Sequence, residues 1–358
     1  MKATLLLFFT ILSINIVYSQ VEHISDNTFY TDSTYTVLCN GAYSWKYENG
    51  QIGEKEFFLN GKVHGEYISY NEDGKLNYIA YYVNGELDGE SIWYYETGKI
   101  HFKSLYKNGL LVGESVYYNE NNELELRETY QNNQLNGPSI TYYSTGNVKE
   151  KRNFKEDLLQ GESFSYYPSG KIKQSMFYID DEPNGVCISY FESGKIQNKS
   201  TYKNDELNGE VVWYYENGQV SSKSKYTEGK IIGDYISFHP NGKIESKGNY
   251  QDGQISGEWS YFDSLGYLSA KKNYLDGLQN GLDLRFYSNG KIQEKKNYVN
   301  AEIVGEVILN YENGKIYEKC NYFHNLKQDT LYRYYPNGKI AFKENYNKGI
   351  LEGNSIWY

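Results

Sequence analysis

The chain has 358 residues, a net charge of −10 and 39% hydrophobic residues, with Tyr alone accounting for 41 positions. Phenol rings carry a polar tip and tolerate partial exposure, so this composition suits a thin sheet better than a deep core. Basic residues are dispersed and outnumbered, which disfavours nucleic acid and anionic bilayers as partners, because both are captured by clustered positive charge.

Residues 1–19 place one Lys before an apolar run, Leu5 to Val17, that ends in Val17-Tyr18-Ser19. The run is short for a membrane span and closes on a small-residue cleavage pattern, so it predicts an export signal and a periplasmic, cell-surface or extracellular location. Residues 20–40 precede the repeats described below. Thr34, Tyr35, Thr36, Val37 and Leu38 have strand composition there and predict a capping strand.

From Gly41 to Tyr358 the chain repeats every 24 residues, giving thirteen units and a terminal half-unit, Gly353 to Tyr358. A period of this length marks a repeat array. Position one is Gly from Gly41 to Gly305, lapses to Asp329 and returns at Gly353; position ten is Gly except at Asn122; position eighteen is aromatic from Phe58 to Tyr346. Each unit reads as two strands and two turns. In Gly209 to Ile232 the first turn is Glu216-Asn217-Gly218, and equivalent turns begin with Pro168, Pro240 and Pro336. Pro, then Asn or Ser, then Gly is the chemistry of a three-residue hairpin loop with a Gly bulge. Such a loop sets position six opposite position twelve: Tyr214 against Val220, Tyr94 against Ile100, Tyr166 against Ile172. Position twenty-one is Gly, Asn or Asp in every unit but the one carrying Ala301, which predicts a second turn with positive φ.

Along the first strand, apolar position four shares a face with position six, while positions five and seven carry Trp and Tyr on the other. No helical stretch covers either face, so ring stacking between neighbouring units is expected to supply most of the cohesion. The predicted fold is all-β: an elongated antiparallel β-hairpin repeat array, one single-layer twisted meander over residues 41–358. Ser44 and Lys46 give the first unit a more polar face, as a capping repeat requires. The last strand, Ser355 to Tyr358, presents an edge suited to end-to-end self-association.

The runs Gly89-Glu90, Tyr94-Tyr95 and Gly98-Lys99-Ile100, and likewise Gly161-Glu162, Tyr166-Tyr167 and Gly170-Lys171-Ile172, follow the pattern GxxxxYYxxGKI. On these residues the chain resembles the MORN repeat family, and more closely its bacterial variant with 24-residue units. The resemblance implies a β-hairpin array serving as a scaffold or interaction surface. Members of the variant often carry the label of a toxin–antitoxin system antitoxin, and lipid-headgroup binding is attributed to other MORN proteins.

Nothing in the residues points to catalysis, a cofactor or a metal. His23, His64, His101, His239 and His324 fall at different unit positions, and Cys39, Cys187 and Cys320 have no metal-ligand spacing and read as small apolar fillers. Glu at position two and Lys or Arg at position fifteen recur with the period, as solvated charge does and a single acid–base pair does not. The expected function is a non-catalytic exported scaffold for a protein partner, with Trp93, Tyr95, Tyr143, Tyr167, Trp213, Tyr215, Tyr287, Tyr335 and Trp357 as its contact surface. The alternatives are an antitoxin-like role, from the resemblance, and cell-surface carbohydrate stacked on Trp93, Trp213, Trp259 or Trp357.

Overall fold

The computed structural model describes residues 23–25, 28–30 and 37–358; the segment read as an export signal lies outside them. Among the described residues there is no helix, and each unit of the sequence repeat forms antiparallel hairpin strands. Two compact units divide at Leu158/Leu159. In the first, strands from Gly41–Lys46 to Val148–Lys155 pair with their neighbours in sequence. In the second, the same order runs from Gly161–Tyr166 to Ile350–Trp357. Among the described residues, Gly41–Lys46 pairs with Ile52–Leu59 alone, and Ile350–Trp357 with Ile340–Asn347 alone, so both units are open meanders.

Turn chemistry dictates this geometry. At the first turn, Gly218 N–H donates to the Tyr215 carbonyl and Tyr215 N–H to the Gln219 carbonyl, both at 2.8 Å, which closes a three-residue loop. Gly218 takes φ +90°, and Asn122 reaches φ +68° at the same position. Tyr214 therefore stands opposite Val220, Tyr94 opposite Ile100 and Tyr166 opposite Ile172, as the loop length requires. At the second turn both central residues have positive φ, as in Asn108 (47°) with Gly109 (74°) and Asn132 (51°) with Asn133 (70°). That is the two-residue type I′ hairpin, whose twist matches the strands it joins.

Two bulges per repeat lie beyond the sequence expectation. Trp213 pairs with Ser222 while Tyr214 pairs with Val220, which leaves Ser221 over. Lys103 pairs with Val116 and Leu105 with Val112, so Gly113, Glu114 and Ser115 span a single residue, Ser104. Gly113 sits in this second bulge at φ +68°, and Asp329, the one non-Gly residue at position one, adopts φ +65°. Bulges bend a strand and increase its twist.

The deepest burial lies at positions three and sixteen, which face each other across each hairpin, and not at apolar positions four and six. Ser91, Ser115, Cys187, Val211 and Leu331 at position three are buried, as are Ala80, Ser104, Ser200 and Cys320 at sixteen. Most are small, and rings close over them: Ser91 Oγ donates to Tyr78 Oη at 3.2 Å, while Ser115 Oγ bonds Ser104 Oγ at 3.0 Å. All three cysteines are free and buried, and desolvation pushes their thiols up, in keeping with inert fillers.

Most of the expected capping strand lies outside the described residues. Thr34, Tyr35 and Thr36 lie outside the described residues, and Val37 and Leu38 are exposed. The strands His23–Ser25 and Thr28–Tyr30 form a hairpin within the segment read as the cap. Phe29 N–H donates to the Gly61 carbonyl at 2.6 Å, Cys39 N–H to the Phe29 carbonyl at 3.0 Å, and the Phe29 ring packs 4.9 Å from Phe58, which is fully buried.

Candidate functional site

Both rows of turns are stitched from one repeat to the next. Along the first row the position-seven Tyr hydroxyl donates to a main-chain carbonyl 23 residues on: Tyr95 to Tyr118 (2.7 Å), Tyr167 to Tyr190 (2.7 Å), Tyr215 to Phe238 (2.7 Å), Tyr287 to Asn310 (2.6 Å) and Tyr335 to Tyr358 (3.1 Å). His239 fills this role through Nε2 and the Phe262 carbonyl at 3.0 Å. Asn217 Nδ2 reaches the Pro240 carbonyl at 2.8 Å while its Oδ1 accepts from Gln219 N–H at 2.9 Å. Lys99 Nζ reaches the Glu120 carbonyl at 2.8 Å, and Lys171 the Glu192 carbonyl at 2.9 Å. Along the second row, Asn133 Oδ1 accepts from Leu111 N–H and Asp181 Oδ1 from Leu159 N–H, both at 2.7 Å. The recurrent Tyr, Asn, Gly and Lys of the motif thus have structural duties.

Most of the expected contact tyrosines take part in these hydrogen bonds. Tyr95, Tyr167, Tyr215, Tyr287 and Tyr335 spend their hydroxyls on stitches, and Tyr143 holds the same position, closing its own loop through its main chain. Trp213 is 46% exposed, and Trp357 is 74% exposed with its ring 4.4 Å from Phe342. Trp259, considered as a sugar platform, is only 3% exposed; its ring covers Gly248 and its Nε1 donates to the Asn249 carbonyl at 3.2 Å. Trp259 is packing.

Trp93 belongs to a row of rings that crosses the first unit. Tyr78 and Trp93 have centroids 4.2 Å apart, Trp93 and Phe102 5.9 Å, and Phe102 and Tyr117 5.5 Å. These are cross-strand neighbours, Tyr78 with Trp93, Trp93 with Phe102 and Phe102 with Tyr117. Within a hairpin position fourteen meets position five because the bulge at position thirteen shifts the register by one residue, and between hairpins, as in Phe102 with Tyr117, the second bulge does the same.

At the head of this row lies a cleft of about 630 Å³ walled by Trp45, Tyr67, Tyr78 and Trp93, with Glu54 and Glu56 in its lining. Burial, reinforced by Glu54, pushes the Glu56 carboxyl up to about 7. Burial also holds the Tyr67 phenol well above its ordinary value, with Glu54, its hydrogen-bond partner, adding to the shift. Trp45 Nε1 is buried without a hydrogen-bond partner among the described residues.

The charge ladder runs on the opposite face. Lys271–Glu258 (2.6 Å), Arg127–Glu114 (3.6 Å) and Lys319–Glu306 (3.7 Å) pair across it, exposed to solvent and worth about 0–1 kcal/mol each. The described residues contain no group of three His, Cys, Asp or Glu able to hold a metal.

The sequence model of the MORN repeat variant matches residues 63–84, 87–108, 135–156, 159–180, 183–204, 207–228, 231–252, 279–300, 303–324 and 330–348. The chain belongs to the MORN repeat variant family. Two MORN units outside these matches keep the same strands, with Asn119 or Asp263 in place of the stitching Tyr. Each closes its own loop through Oδ1, Asn119 onto Glu123 N–H (3.0 Å) and Asp263 onto Tyr267 N–H (2.9 Å). No curated protein matches the chain. Among solved structures, the crystal structure of TcdB2-TccC3 aligns at 12% identity and a TM-score of 0.18, and that of TcdB2-TccC3-Cdc42 at 12% and 0.17. Each alignment covers 87% of this MORN chain and 19% of the other, so this chain spans about a fifth of their length. No conclusion about fold or function follows from scores of that size.

Proposed function

We propose that this MORN repeat protein is a non-catalytic scaffold, exported under the direction of residues 1–19, that holds a protein partner against its aromatic face. One observation carries the reading: the partly exposed Trp93, Phe102 and Tyr117 rings continue a row that starts at the buried Tyr78 ring, and no helix covers it among the described residues. Rigid rings on a rigid sheet offer contact area at little conformational cost, and such residues dominate binding energies. The recurrent polar residues are engaged in stitches and carry no separate chemistry in this reading.

The test is capture from an envelope or culture-medium fraction by the chain lacking residues 1–19, compared with Trp93→Ala and Phe102→Ala. The reading expects one discrete protein held by the wild type and lost from both variants, with retention by Glu210→Ala. Equal capture by all four chains refutes it. Saturable quenching of Trp93 by oligosaccharides, with no protein held, replaces it with the carbohydrate reading.

A further inference from the structure

We infer that the cleft at the head of the aromatic row receives a cationic side chain, a lysine ammonium or an arginine guanidinium, carried by the protein partner. The partner's nature rests on the scaffold reading above; the charge of the group rests on the cleft itself.

Glu54 and Glu56 lie two residues apart on the strand Ile52–Leu59, so strand alternation turns both to the same face. Both line the cleft, and among the described residues neither belongs to an ion pair. Lys55, between them, points to the other face and holds its ammonium 5.6 Å from the centre of the Tyr70 ring. The chain therefore supplies no cation to an acid pair enclosed by four aromatic rings. Ring faces attract cations through their quadrupole, and carboxylates form their strongest hydrogen bonds with ammonium and guanidinium donors. An anion would meet two carboxylates, and a neutral alkyl group would leave them without a counter-ion.

The volume, about 630 Å³, lies within the range of clefts that bury a ligand of side-chain size or larger. The titratable groups around Glu56 are Glu54 on its own strand, Tyr43 across the hairpin, and Cys39, Tyr67 and Tyr82. None is basic. With its carboxyl near 7, Glu56 gains charge between pH 6 and 8, and cation binding strengthens over that interval.

The experiment follows the five indole N–H signals of the tryptophans by two-dimensional NMR, with Trp45→Phe and Trp93→Phe assigning the two of interest. Nα-acetyl-lysine amide and Nα-acetyl-arginine amide are titrated beside Nα-acetyl-norleucine amide, the uncharged control. The expected result is a saturable shift of the Trp45 and Trp93 signals with the cationic amides and none with the control. Binding should tighten from pH 6 to 8 and weaken about tenfold in Glu54→Gln and in Glu56→Gln. The pH dependence should disappear in Glu56→Gln. Equal shifts from the norleucine and lysine amides in the wild type overturn the inference without recourse to any variant. Unchanged affinity in both Gln variants overturns it as well. A captured partner that depends on Trp93 but is indifferent to Glu56→Gln leaves the scaffold reading standing and removes the cation; lysine-amide binding with no protein captured does the reverse.

Discussion

Replacing Gly218 with Val tests the loop on which each repeat turns. Gly218 holds φ +90°, and a Cβ placed on it meets nothing within 4 Å, so collision contributes nothing and the whole cost is conformational. A β-branched residue forced to positive φ costs about 1–3 kcal/mol, of which a stiffer unfolded chain offsets roughly 0.5–1 kcal/mol. The net expectation is a loss of about 1–2 kcal/mol. Gly218→Asn should cost less than about 1 kcal/mol, because Asn122 occupies this turn position at φ +68°. Glu210→Ala, at an exposed site, should stay within about 0.5 kcal/mol. Long repeat arrays unfold in parts, so a single melting curve dilutes a local effect. Amide hydrogen exchange of Tyr215 and Gly218, whose N–H groups close the loop, reads it directly, with about tenfold faster exchange expected in the Val variant. Equal exchange in the Val and Asn variants, or in the Val and Glu210→Ala variants, would refute the loop assignment.

Gly248 has a different reason to be Gly: a Cβ there would stand 2.2 Å from the Trp259 ring, so Gly248→Ala should cost about 1–3 kcal/mol and shift Trp emission to the red. Unchanged emission would show that the ring does not pack there. Tyr215→Phe removes a 2.7 Å stitch to the Phe238 carbonyl and should cost about 0.5–1.5 kcal/mol by urea denaturation, read beside exchange in the neighbouring loop. Exchange equal to the wild type in that loop counts against the stitch. Trp259→Ala should destabilise by about 3–5 kcal/mol, whereas Trp357→Ala, at a largely exposed ring, should cost far less; comparable losses contradict the burial of the two rings. For Glu56, whose carboxyl rises from 4.5 to about 7 on folding, the unfolded chain releases the proton first as pH increases. Stability of the first unit should therefore fall as pH rises from about 4.5 to about 7 and level off above, and Glu56→Gln should remove that decline. Parallel pH profiles for the two chains would exclude Glu56 as its source.

The hairpin register was readable because a column of aliphatic residues at position twelve needs an aromatic partner, and only a three-residue loop puts Tyr214 opposite Val220. Positive φ at position twenty-one followed from Gly, Asn and Asp sharing one column, and the burial of Cys39, Cys187 and Cys320 from their lack of ligand spacing. The aromatic row was not readable. Position fourteen is Tyr78, Phe102 and Phe342 in three repeats but Glu54, Glu150, Glu294 and Glu318 in others, so no column announces it. Its meeting with position five within a hairpin depends on the bulge at position thirteen, a column with no common residue to mark it. The tyrosine stitches were not readable, because strand alternation gives the face of a side chain and not what lies one hairpin away. Glu54 and Glu56 were not legible as a pair because Glu recurs in both columns, at Glu150, Glu294 and Glu318 and at Glu128 and Glu344, so neither column singles them out.

The tyrosine stitches along the first row of turns end on peptide carbonyl groups. A carbonyl is common to every residue, so a join of that kind between two neighbours asks nothing of the side chains on the receiving hairpin. Loss or duplication of one whole module in the gene would bring two strangers together and still give each a seam that fits. Tandem recombination can thus change the number of modules at little risk to folding, whereas the ring row and the acid pair beside it, written into particular modules, travel only with them.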